Sequence, residues 1–201
     1  MPVSSFINLT SAEQSKLKSL VCQVLTGAIT EKSLQPPDES KYPGLLVPAA
    51  CFVTLYKNDQ LRGCIGTYSA DMALWFNVCR YSYCSAFEDR RFTPLQEKEL
   101  KDIRFEISIL SELEPIENNG EQALLQNLKV GKDGLLMSEK GYHSAIFLPS
   151  VWDVLATPFE FVQALKRKGG WRSDYWNLDI KLFRFSTFVI AGEAGEALQA
   201  E

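Results

Sequence analysis

Histidine is nearly missing from this chain of 201 residues: there is one, His143. With so few imidazoles a zinc site would need clustered cysteines, and Cys22, Cys51, Cys64, Cys79 and Cys84 are scattered. Cys79 and Cys84 would point to different faces of one helix. An odd cysteine count and no basic start followed by an apolar run predict reduced thiols in the cytoplasm rather than a secreted disulfide scaffold. No apolar run approaches the roughly 18 residues that a membrane span needs. Basic excess is missing too. The net charge is −4, with acids and bases interspersed, which disfavours nucleic acid as a partner, because phosphate neutralisation supplies most of such affinity. Neither repeats nor low-complexity segments are present.

What remains is a globular composition, 46% hydrophobic and 23% charged. Ser11 to Gln14 reads as a capping box opening a helix to about residue 31, with Leu17, Leu20, Val21, Val24, Leu25 and Ala28 on one stripe. A proline-rich loop, residues 33–48, is apolar enough at Leu45, Leu46 and Val47 to lie over a core. Residues 51–57 and 61–68 read as a hairpin across Asn58 and Asp59. Residues 71–87 read as a helix burying Met72, Trp75, Phe76, Cys79 and Tyr83. Ile103, Phe105, Ile107 and Ile109 alternate with polar residues as in a half-buried strand. A short helix (118–128), a second hairpin (135–138 with 142–148), a helix opened by Thr157, Pro158 and Glu160, and a last strand (179–190) follow. Hairpins do not alternate with helices as βαβ units would. The expected fold is therefore α+β, a mainly antiparallel sheet with segregated helices. One domain with room for a smaller lobe spans residues 1–191, and 192–201 read as a flexible tail.

The stretch Leu61-Arg62-Gly63-Cys64-Ile65-Gly66-Thr67 carries the most information. Strand alternation puts Arg62, Cys64 and Gly66 on one face, and a two-residue turn would set Cys64 opposite Val53 and Phe52 opposite Ile65. Arg62 would then favour the Cys64 thiolate, the nucleophilic form. Two glycines beside a cysteine weaken a strand unless a backbone or ligand approaches closely. Against this, a free cysteine commonly serves as a small core hydrophobe, and the glycines could mark a bulge.

If Cys64 has a histidine partner, it can only be His143, which sits in a strand. Glu106 lies mid-strand between Arg104 and Ser108, on a face that is either solvated or lines a cleft. Asp89, Arg90 and Arg91 form a charge cluster bracketed by Phe87 and Phe92. Residues 131–134 read as a turn rather than a phosphate loop. Lys166, Arg167 and Lys168 complement a helix C-terminus that Gly169 and Gly170 close.

These residues resemble the AMMECR family, named for a human chromosomal region of Alport syndrome, midface hypoplasia and elliptocytosis. In bacteria its members are labelled AmmeMemoRadiSam system protein A. The resemblance is carried by residues 61–67, Phe87 to Leu95, Glu106 to Leu110 with Glu114-Pro115-Ile116, Phe147-Leu148-Pro149 with Val151-Trp152, and Leu165 to Gly170. Arg90 stands where a proline is commoner, and Ser150 where a glutamine often follows Leu-Pro. The resemblance implies two unequal lobes with a cleft beside the cysteine motif. It also implies association with a Memo-like protein and a radical S-adenosylmethionine enzyme.

Together these readings predict a cytoplasmic cleft protein built around Cys64. As an enzyme, it would use Cys64, Glu106 and His143 catalytically, and Arg62, Gly63, Gly66, Thr67, Asp89 and Arg91 to bind a small-molecule or protein substrate. The alternative is a non-catalytic binding or adaptor module, with the proline-rich loop and the Trp152 region as its contact surface. No cofactor or metal is called for.

Overall fold

The computed structural model describes residues 8–139 and 143–195. The chain folds as α+β with two antiparallel four-stranded sheets, in two compact units. One unit runs up to residue 110 and resumes at 188; the other is residues 111–187.

The first unit opens with α1 (Ser11–Glu31), whose N-cap is Thr10 rather than the expected Ser11. Thr10 Oγ1 accepts the Glu13 N–H while the Glu13 carboxylate takes the Thr10 N–H, so the box closes one residue earlier. Strands β1 (Cys51–Lys57), β2 (Gln60–Gly66) and β3 (Ile103–Leu110) follow, with α2 (Leu74–Phe87) between β2 and β3. Met72 precedes that helix and is exposed, not buried as expected. Of the loop residues, Tyr42 and Leu45 reach the core, whereas Leu46 and Val47 face solvent.

Cys51, Val53 and Leu55 of β1 and Ile103, Phe105, Ile107 and Ile109 of β3 form the buried face, which α1 and α2 cover. Phe52 and Tyr56 lie on the opposite face and are only half-buried.

The second unit contains β4 (Glu114–Ile116), α3 (Glu121–Asn127), β5 (Gly134–Glu139), β6 (His143–Phe147), α4 (Pro158–Lys168) and β7 (Lys181–Phe185), its sheet ordered β4-β7-β5-β6. The expected cap of α4 forms at Thr157 with Glu160. Its core gathers Phe161, Val162, Leu165, Trp171 and Trp152, the last stacked on Phe161 at 3.9 Å between centroids. Trp152 itself is buried, while Val154 beside it in sequence is exposed. Lys166 is also buried, its ammonium held by Glu121 at 3.1 Å and the Ser173 carbonyl at 2.6 Å, a tie beyond any helix-end effect.

The final strand read as continuous is broken at Ser186. Its first half is β7, paired with β4 and β5; its second half, β8 (Thr187–Glu193), joins β3 in the first sheet. Ser186 donates its N–H to Ser111 Oγ, and Ser111 donates its N–H to the Ser186 carbonyl. β8 runs past residue 191, and Ala194 is buried.

Candidate functional site

The site grows from the β1–β2 hairpin. Asn58 and Asp59 both adopt positive φ, 51° and 60°, as a two-residue hairpin turn demands. The register then slips: Tyr56 pairs with Leu61, but Leu55 pairs with Gly63, leaving Arg62 as the extra residue of a bulge. Cys64 consequently faces Thr54, not Val53. Thr54 in turn faces Glu106 on β3. Cys64, Thr54 and Glu106 thus form a polar row across three strands, on the face turned from the helices.

Thr54 Oγ1 lies 3.4 Å from the Cys64 sulfur and donates to it. Tyr56 donates to Glu106 at 3.3 Å, and Arg104 pairs with Glu106 at 2.5 Å while lying over the Tyr56 ring. Burial, with the Glu106 charge second, pushes the Tyr56 hydroxyl up to about 12.

Cys64 is half-buried, whereas the other four cysteines are buried. Burial pushes the Cys79 thiol up to about 11, the Cys84 thiol up to about 12, and that of Cys51 upward as well. Those three are core residues, and burial disfavours their thiolates.

The bulge also redirects Arg62. Its side chain is buried and donates to both Glu99 oxygens, at 3.2 and 3.0 Å, and to the Thr93 carbonyl at 2.9 Å. The Arg62 hydrogen bonds, chief among several causes, hold the Glu99 carboxyl down to about 2. Arg62 therefore does not share a recess with the thiol, contrary to the alternation argument.

A different guanidinium stands beside Cys64. Asp89, only 8% exposed, accepts the Cys64 backbone N–H at 2.9 Å. It grips Arg91 through two parallel bonds, 2.9 and 2.7 Å, and Arg91 reaches the Cys64 carbonyl at 3.2 Å. The Arg91 hydrogen bonds, helped by the backbone N–H of Cys64, lower the Asp89 carboxyl to about 2. The sequence placed these two residues near the site without revealing this clamp.

Backbone approaches closely at both Gly63 and Gly66. A Cβ on Gly63 would lie 2.0 Å from the Ser85 carbonyl oxygen of α2, and one on Gly66 would lie 2.4 Å from that of Cys51. The Thr67 hydroxyl caps its own turn by accepting the Ser69 N–H at 2.9 Å.

His143 belongs to the other unit. Its Nδ1 lies 2.6 Å from the Gly169 carbonyl, so Nδ1 carries the proton, and its ring stands 5.2 Å from that of Trp171.

Thr54, Tyr56 and Glu99 escaped sequence reasoning, because their roles depend on a bulge that alternation does not announce. Among the described residues no group of three or more His, Cys, Asp or Glu side chains gathers as a metal site, and no helix is long and apolar enough to cross a membrane.

A family model described as AMMECR1 matches residues 18–190. Protein NEQ441 of Nanoarchaeum equitans is 32% identical over 186 residues, covering 90% of this chain and 98% of its own. A protein of Thermococcus onnurineus is 35% identical over 173 residues, 81% of each chain. The crystal structure of the uncharacterized protein PH0010 from Pyrococcus horikoshii superposes with a TM-score of 0.83 at 26% identity, over 94% of this chain and 95% of that one.

Proposed function

From the premise that this chain belongs to the AMMECR1 family, we propose that it is an enzyme whose nucleophile is Cys64, working on the polar face of the first sheet. The observation that carries this reading is the contrast among cysteines: four are buried, and the fifth is half-buried in a row of polar side chains. A hydroxyl that donates to sulfur stabilises the negative charge a nucleophilic thiolate carries. Glu106 lies one strand beyond Thr54. Two strand spacings are about 10 Å, so proton exchange with the sulfur runs through the hydroxyl or water rather than by direct contact. Arg62 has no part in holding substrate, being committed to Glu99. His143 is left outside the proposal. A reduced thiol is required, which suits the cytoplasm.

A second reading, a non-catalytic module for the Memo-like or radical S-adenosylmethionine partner, draws on another observation. Leu46, Val47 and Met72 are 47%, 52% and 47% exposed. Backbone bonds hold their segments side by side, from Leu74 N–H to the Val47 carbonyl and from Ala49 N–H to that of Met72. Exposed apolar residues so grouped suit a protein partner.

An activated ester separates the two. With p-nitrophenyl acetate, Cys64 should attack the carbonyl, expel p-nitrophenolate in a stoichiometric burst and carry the acetyl group as a thioester that mass spectrometry locates. Cys64→Ala should abolish the burst. Equal bursts from both proteins, or none from either, would contradict the enzyme reading and leave the module.

A further inference from the structure

The Asp89–Arg91 pair has an asymmetry that charge neutralisation alone does not require. Asp89 is nearly buried, yet the Arg91 side chain is 57% exposed. Arg91 Nε and Nη2 are both committed, to the two Asp89 oxygens and, through Nη2, to the Cys64 carbonyl. Nη1 takes no acceptor among the described residues. The guanidinium is also backed by Phe92, whose ring centre is 5.5 Å from Cζ. One edge of the fork is thus fastened inward and the other is turned out, in a fixed plane.

The same carboxylate fastens the backbone of the nucleophile, because Asp89 Oδ2 receives both Arg91 Nη2 and the Cys64 N–H. Sulfur and guanidinium are thereby held in one frame by a single buried group. A planar fork presented this way matches an oxyanion, since its outer hydrogens can reach a carboxylate or phosphate oxygen.

We infer that the Cys64 site takes substrates bearing an oxyanion, which docks on the outer edge of Arg91, and that Asp89 is the residue positioning both. This rests on the reading of Cys64 as a nucleophile. Arg91 takes the part that strand alternation assigned to Arg62, and Asp89 acts through Arg91 and the Cys64 backbone rather than on substrate.

Two reagents of nearly equal size test it, one anionic and one neutral: iodoacetate and iodoacetamide. In each case the Cys64 sulfur attacks the methylene carbon and iodide leaves, so their rate ratio isolates the effect of the carboxylate. In wild-type protein iodoacetate should be favoured relative to its ratio on a small free thiol. In Arg91→Gln that advantage should fall on the order of tenfold, the size of one charge-assisted hydrogen bond. The four buried cysteines report the fold, since their labelling marks an unfolded variant. If Arg91→Gln unfolds, Arg91→Lys keeps a charge beside Asp89, and the ratio should still drop because an ammonium so paired has no second planar edge. Protection of Cys64 by acetate or by inorganic phosphate tells which oxyanion fits better. An unchanged ratio in a folded variant, with Cys64 still readily labelled by iodoacetamide, overturns the inference alone. If iodoacetamide does not label Cys64 ahead of the other cysteines, the nucleophile reading fails and takes the inference with it.

Discussion

Gly63 has no side chain because there is no room for one: its Cβ would lie 2.0 Å from the Ser85 carbonyl oxygen. The obstacle is helix backbone, which cannot swing aside as a side chain can. Gly63→Ala should therefore cost about 1–3 kcal/mol or somewhat more, by the usual penalty for overpacking. Urea unfolding measures it, and a midpoint unchanged from wild type would show that α2 rides more loosely on β2. At this scale the sequence was informative but incomplete. Two glycines beside a cysteine announced a close approach, and one occurs at each. Whether a ligand or a chain segment makes it depends on where α2 lies, and no local pattern contains that. The Asp89 clamp was hidden for a similar reason: its Oδ2 accepts the Cys64 N–H across 25 residues.

Among elements, the hairpin shows what pattern can and cannot give. Its turn was readable from Asn58-Asp59, and both ends of β1 were found. Counting outward from the turn then misplaced every residue beyond Leu61, because the bulge adds one residue to β2. Period-two arguments invert when the register slips by one. That slip moved Cys64 beside Thr54 and sent Arg62 to Glu99. The same bulge creates a vulnerability. Glu99 is the carboxylate partner of a buried Arg62 whose Nη1 has no acceptor among the described residues. Glu99→Ala should destabilise the first unit by about 3–5 kcal/mol, because it strands that charge. Thermal melts would check it, and a loss below about 1 kcal/mol, typical of an exposed pair, would contradict the burial argument.

Acid should act on the same two carboxylates. Asp89 and Glu99 are held at about 2, below their ordinary 3.8 and 4.5. A group depressed on folding stabilises above its unfolded value, and that contribution drains away as pH falls through the folded one. Stability should thus be level in these two terms above about pH 5 and decline between there and about pH 2. Glu99→Gln and Asp89→Asn should each flatten part of that decline in unfolding curves recorded against pH.

For the whole molecule, the antiparallel α+β class was legible from hairpins that do not alternate with helices. The division into two units was not. Residues 111–187 form a unit between β3 and β8 of the other, and no linker-like change of composition marks either junction. The break at Ser186 lies inside a stretch that reads as one strand, so only its pairing with Ser111 gives it away. The family, by contrast, was visible in short motifs throughout the chain, because it depends on residue identity rather than register.

One sulfur of five, that of Cys64, is half-buried in a polar setting. Iodoacetamide labelling of the native protein, resolved by peptide and by time, reads all five at once. Cys64 should be modified first, with Cys51 and Cys79, both fully buried, unlabelled until the fold opens. Labelling of Cys64 no faster than those two would contradict the account.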